Sequence, residues 1–112
     1  MAVAMAALGA HGMESQAADW LERGSRMQLI HAAALLAIGL GIGEGRWLKA
    51  ASLFFALGTI LFSGSLYAMA LASSPIVFTV PIGGTCFILG WLAVLGSALR
   101  PACFAGKPND SR

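Results

Sequence analysis

The sequence predicts an all-α polytopic membrane protein: a four-transmembrane-helix antiparallel bundle whose first helix is short or truncated at its N-terminus. Three observations predict it. Of 112 residues, 58% are hydrophobic and only 11% are charged, less than half the roughly 25% charge of an ordinary soluble domain, and mean hydropathy is +0.79. The apolar residues gather into runs long enough to cross a hydrocarbon core of about 30 Å, separated by short links that together with the C-terminal tail carry the charge. Within the runs, glycine, alanine and serine recur four residues apart, the spacing by which membrane helices approach closely.

Taken in order, Met1 to Gly12 is apolar and free of Lys and Arg. It lacks the positive n-region of a signal peptide, and twelve residues extend about 18 Å as a helix, too short to cross. It reads as the C-terminal part of a first helix, about 1–12, with either further residues before Met1 or a half-inserted position behind its neighbours. Residues 13–26 hold Glu14, Asp19, Glu22, Arg23 and Arg26; Asp19 to Arg23 and Glu22 to Arg26 are i,i+4 pairs with the acid first. They predict an amphipathic, interfacial start to the second helix, about 17–43, with Ala33, Ala37 and Gly41 forming a small-residue side. Gly39-Leu40-Gly41-Ile42-Gly43 is no nucleotide loop, since no strand precedes it.

Glu44 to Lys49 is a polar hinge in which Trp47 is an interfacial anchor between Arg46 and Lys49. The third helix, about 48–72, has Gly64, Ala68 and Ala72 as its close-packing side, and Ser73-Ser74-Pro75 breaks it. The fourth, about 80–99, starts near Pro81 with Thr79 as cap, because proline suits a first helical turn. Gly83, Gly84 and Gly90 then face Gly64 and Ala68. Residues 1–100 form one transmembrane domain, and 101–112 is a polar tail expected to be disordered.

Links on one side carry Arg23 and Arg26, those on the other Arg46, Lys49, Arg100, Lys107 and Arg112. The positive-inside rule then places both termini in the cytoplasm, for a bacterial inner-membrane location. This folding collects His11, Gln28, His31, Ser63 and Tyr67, with Pro81 to Gly84, in the non-cytoplasmic half. Gln28 and His31 share a face by i,i+3, Ser63 and Tyr67 by i,i+4.

Several chemistries are excluded or disfavoured on the residues alone. No run of Lys and Arg exists for a nucleic acid. Cys86 and Cys103 would lie about 25 Å apart along a helix, beyond disulfide reach. Ser63 and Ser65 lack an intramembrane acid to complete a catalytic triad, so no catalytic residue is expected and the protein is read as no enzyme. An intramembrane histidine is a functional candidate, and His11 with His31 could supply two haem ligands. Against that, His11 sits at a helix end, and Gln28 and Tyr67 offer His31 hydrogen-bond partners. The expectation is a satisfied polar cluster with no metal and no cofactor. A free helix N-terminus at Gly83-Gly84 could hold an anion, but close packing on Gly64 accounts for these glycines.

Gly9-Ala10-His11-Gly12, Arg26 with Gln28 and His31-Ala32, Phe62-Ser63-Gly64-Ser65-Leu66-Tyr67, and Pro81-Ile82-Gly83-Gly84 with Phe87 and Gly90-Trp91 follow one another along nearly all of the chain before its tail. In these blocks and their order the sequence resembles the small membrane proteins of domain of unknown function 423, the transmembrane protein 256-like family. It departs in having Met27 where that family usually has an aromatic residue, and in its short N-terminus. The resemblance implies a four-helix membrane protein of uncharacterised biochemical activity.

Three function classes follow. The first is an accessory, assembly or scaffolding component packed against a larger membrane protein complex within the lipid bilayer, with a homo-oligomer allowed. The second binds a lipid, quinone or other small apolar ligand, less readily haem, at the His31, Gln28 and Tyr67 cluster. The third, a transporter or channel, is weakest, because only His31 is ionisable in mid-span.

Overall fold

The computed structural model describes residues 1–11, 14–41, 45–73 and 75–99; the expected polar tail lies outside the described residues. Among those described there is no strand. The helices are α1 (Ala2–Ala10), α2 (Ser15–Gly39), α3 (Arg46–Gly58), a π turn over Thr59–Ser63 that continues without a break into α4 (Gly64–Ala72), and α5 (Thr79–Ala98). Two stretches, Arg46–Ala72 and Thr79–Ala98, are long and apolar enough to cross a membrane.

α1, α2, the continuous stretch from α3 through α4, and α5 run antiparallel, each to the one before it. Gly9 of α1 lies against Ala18 and Leu21 of α2, and Gly24 of α2 against Leu66 and Tyr67 of α4. Along α5, Gly83 meets Phe62, Gly90 meets Phe55 and Gly96 meets Trp47. The core lies where α2, α3 and α5 converge: Ala51, Phe55, Phe87 and Ala93 are buried, with Ala34, Leu35, Ile38, Phe62 and Val94 packed on them.

Where the helices end has local causes. The expectation that α2 runs to Gly43 is corrected: the helix stops at Gly39, and Gly41 takes a φ of +83°, a left-handed conformation that glycine adopts without a Cβ penalty. Ser73, with φ 50°, ends α4 in the same region. Thr79 does not cap α5. It is the first helical residue, its hydroxyl donating to the Ile76 carbonyl at 2.7 Å and meeting Ser65. Of the two acid-first pairs in α2, Glu22–Arg26 closes at 2.5 Å with both side chains more than 60% exposed, so its contribution is small.

The close-packing glycines also differ from those expected. Gly64 is exposed, with nothing within 4 Å of where its Cβ would stand, and Gly84 meets only the Phe62 ring at 4.0 Å. A Cβ on Gly83 would come within 2.5 Å of the Phe62 amide nitrogen, and one on Gly90 within 2.5 Å of the Phe55 ring. Gly83 therefore seats on Phe62 backbone rather than on Gly64. Gly24 and Gly58, unmarked by any regular spacing, are equally tight, at 2.8 Å from Tyr67 and 2.6 Å from Phe87. On the expected small-residue side of α2, Ala33 and Gly41 are exposed and only Ala37 is half-buried; Ala68 is half-buried and Ala72 exposed.

Candidate functional site

Gln28, His31, Ser63 and Tyr67 form a seam along α2, and the π turn aligns its partners, while buried Ser65 pairs instead with Leu61 and Thr79. From Phe55 to Tyr67 is twelve residues; in an uninterrupted α-helix the two would point about 120° apart. A π turn accommodates one extra residue, which takes back about 100°, so Phe55, Ser63 and Tyr67 all face α2. The Gly64 amide bonds to the Thr59 carbonyl in the i→i+5 pattern, and the Thr59 hydroxyl is buried without a hydrogen-bond partner.

Two rungs link α2 to this helix. Ser63 Oγ donates to the Gly24 carbonyl at 2.8 Å, and Tyr67 Oη donates to Gln28 Oε1 at 2.7 Å. Ser63 is unlike Ser25, Ser52 and Thr85, whose hydroxyls donate to the carbonyl four residues back in their own helices, at 2.5, 2.9 and 2.8 Å, the usual intrahelical solution for a hydroxyl. It reaches across instead, where Gly24, lacking a side chain, lets the backbones close.

His31 lies one turn further along and is buried among aromatic rings. It stacks on Phe87 with centroids 3.6 Å apart and planes at 12°, and stands edge-on to Phe55 at 5.2 Å. Trp91 Nε1 donates to His31 Nε2 at 3.1 Å, and His31 Nδ1 lies 2.7 Å from the Met27 carbonyl. The indole can only donate and the carbonyl can only accept, so both bonds form together in a single state: neutral imidazole carrying its proton on Nδ1. Both ring nitrogens are then engaged, and ligation of a metal or haem iron would have to break one of these bonds.

The structure thus brings Gln28 to Tyr67 and Ser63 to Gly24, but gives His31 other partners than the Gln28 and Tyr67 expected for it. Its depth also differs. His31 sits level with Phe55 and Trp91, nine residues from Arg46 and seven from Ala98, about 10–14 Å from the hinge end at 1.5 Å per residue. It belongs to the hinge-side half rather than the half holding Ser63 and Tyr67, because the polar start of α2 is drawn into the bundle along α4. His11 is exposed at the C-terminal cap of α1, next to a part of α2 about 15 Å before His31. It takes no part in the seam, and the two histidines do not form a ligand pair.

Trp91, Phe87 and Phe55 are the site residues that sequence reasoning left unassigned. Trp91 and Phe87 stand four apart on α5, and a tryptophan in mid-span, away from the interface where it usually sits, was the available signal for a buried partner.

Comparison with known proteins identifies the family. The family model described as "Protein of unknown function (DUF423)" matches residues 5–84. The chain is 39% identical over 98 residues to a UPF0382 membrane protein of Haemophilus influenzae, covering 82% of this chain and 79% of that one. It is 39% identical over 107 residues to the UPF0382 inner membrane protein YgdD of Escherichia coli K12, covering 88% and 80%. A UPF0382 membrane protein of Staphylococcus epidermidis is 40% identical over 119 residues, covering 95% and 89%. No solved structure matches. The extent of these matches, together with the apolar helices, establishes that the chain belongs to the DUF423 family of membrane proteins.

Proposed function

We propose that this protein is a non-enzymatic, four-span inner-membrane component that acts by packing, as an accessory or assembly subunit of a larger membrane complex. One observation carries the reading: along the seam, the Ser63, Tyr67 and Trp91 donors, Gln28 Oε1 and both nitrogens of His31 are engaged within the chain, so these groups are spent on holding the protein's own helices together. In hydrocarbon such pairing is what holds helices together where no hydrophobic force does. The outward face is apolar, with Leu36, Leu53, Ile60, Ile88 and Leu92 all more than half exposed, and suits contact with lipid and other membrane helices.

The two-against-five distribution of basic residues supports both termini lying in the cytoplasm. The test of function is purification in a mild native detergent. Co-migration with a complex much larger than the chain is expected. A protein running alone and carrying a chromophore or quinone that Tyr67→Phe or Gln28→Ala releases would instead support ligand binding at the seam.

A further inference from the structure

An open cleft of about 230 Å³ lies beside the seam on the hinge side. Ala34, Ala37 and Ile38 of α2 form one wall, Trp91 and Val94 of α5 the other, and the fully buried Phe55 of α3 its floor. The cleft reaches Leu48 in the first turn of α3, where Arg46 and Lys49 are exposed.

We propose that this cleft holds one acyl chain of an anionic glycerophospholipid, whose phosphate is held by Arg46 and Lys49. The inference rests on the membrane-spanning reading above, not on the accessory role. The lining is hydrocarbon and aromatic, and its one polar group, the Trp91 N–H, is already donated to His31. A quinone head would find no donor. The volume falls below the about 300–1,000 Å³ of sites for drug-sized molecules, and a partner helix, about 10–12 Å across with its side chains, occupies more than about 230 Å³ in a single turn. A flexible chain sliding in from the bilayer fits both limits.

The headgroup follows from charge and level. Arg46 and Lys49, both in the first turn of α3, are exposed at this end of the bundle and put two cations there. Basic residues at the membrane edge attract anionic headgroups. Trp47, against the face of Gly96, sits at the depth where tryptophan marks the headgroup region. A lipid with its phosphate beside Lys49 has its chain start beside Leu48, the hinge-end residue of the cleft.

The experiment reconstitutes the full chain in vesicles of equal phosphatidylglycerol and phosphatidylcholine, extracts it in mild detergent and counts retained lipids by native mass spectrometry. One lipid per chain is expected, with phosphatidylglycerol preferred by about fivefold for each of the two cations. Ala37→Phe fills the cleft and should cut retention of both lipids at least fivefold while the melting temperature holds, taking about fivefold as one cation's worth of binding. Arg46→Gln with Lys49→Gln should keep a lipid but lose the preference. If Ala37→Phe melts early, the smaller Ala37→Leu gives the same reading, and the two Gln changes, at exposed positions, decide the headgroup separately. A parent that retains no lipid or shows no preference, or a filled cleft that retains as much, overturns the proposal. So does a parent dimer dissolved by Ala37→Phe, which would assign the cleft to a second copy.

Discussion

At the scale of single residues, contacts divide glycines that look alike in sequence. Gly83 has Phe62 backbone within 3 Å of any Cβ, and backbone cannot rotate away, whereas Gly64 faces open space. Gly83→Leu should therefore fail to accumulate or melt well below the parent, since overpacking costs about 1–3 kcal/mol and more against backbone. Gly64→Leu should melt within experimental error of it. Thermal melts of both in detergent check this, and equal behaviour would show the placement of α5 on Phe62 to be wrong. Trp91→Phe tests the imidazole in a different way. It leaves His31 Nε2 without its donor while preserving a ring near Phe55, 5.0 Å away between centroids. A loss of about 1–3 kcal/mol is expected, the cost of a buried acceptor left unsatisfied, and Trp91→Phe combined with His31→Phe should lose less than the sum of the two single changes.

At the scale of elements, the π turn decides how α2 and the long third stretch meet. Its extra residue keeps Ser63 and Tyr67 in phase with Phe55. Deleting Ile60, an exposed residue inside the turn, should restore α-helical periodicity and rotate everything after it by about 100°. Both the Ser63–Gly24 and the Tyr67–Gln28 bonds would be lost, and with each interhelical bond worth about 0.6 kcal/mol on average in membranes, the larger penalty is the misplaced Tyr67 ring against Gly24. The deletion variant should be poorly retained in the membrane. One that melts like the parent would show that the register of the turn is immaterial.

At the scale of the whole molecule, orientation depends on sparse charge rather than on packing. On a background with Cys86→Ser and Cys103→Ser, Arg46→Cys should resist membrane-impermeant thiol reagents added outside intact cells and react once the membrane is opened. Efficient labelling from outside would reverse the proposed topology. The cleft shares this dependence, since a reversed protein would present Arg46 and Lys49 to the other leaflet.

Membrane character, helical class and family were legible in the residues themselves, because run length, charge scarcity and ordered motifs are properties of the chain that no partner needs to complete. So was the pairing of faces that carry Gln28 with His31 and Ser63 with Tyr67, which follows from 3.6 residues per turn. Which residue meets which was decided only by the tertiary structure. A contact depends on the rotational phase of two helices at once, and one extra residue at Thr59–Ser63 resets that phase for all that follows. Hence His31 is held by Trp91 and the Met27 carbonyl rather than by Gln28 or Tyr67, and Gly83 rests on Phe62 while Gly64 looks outward.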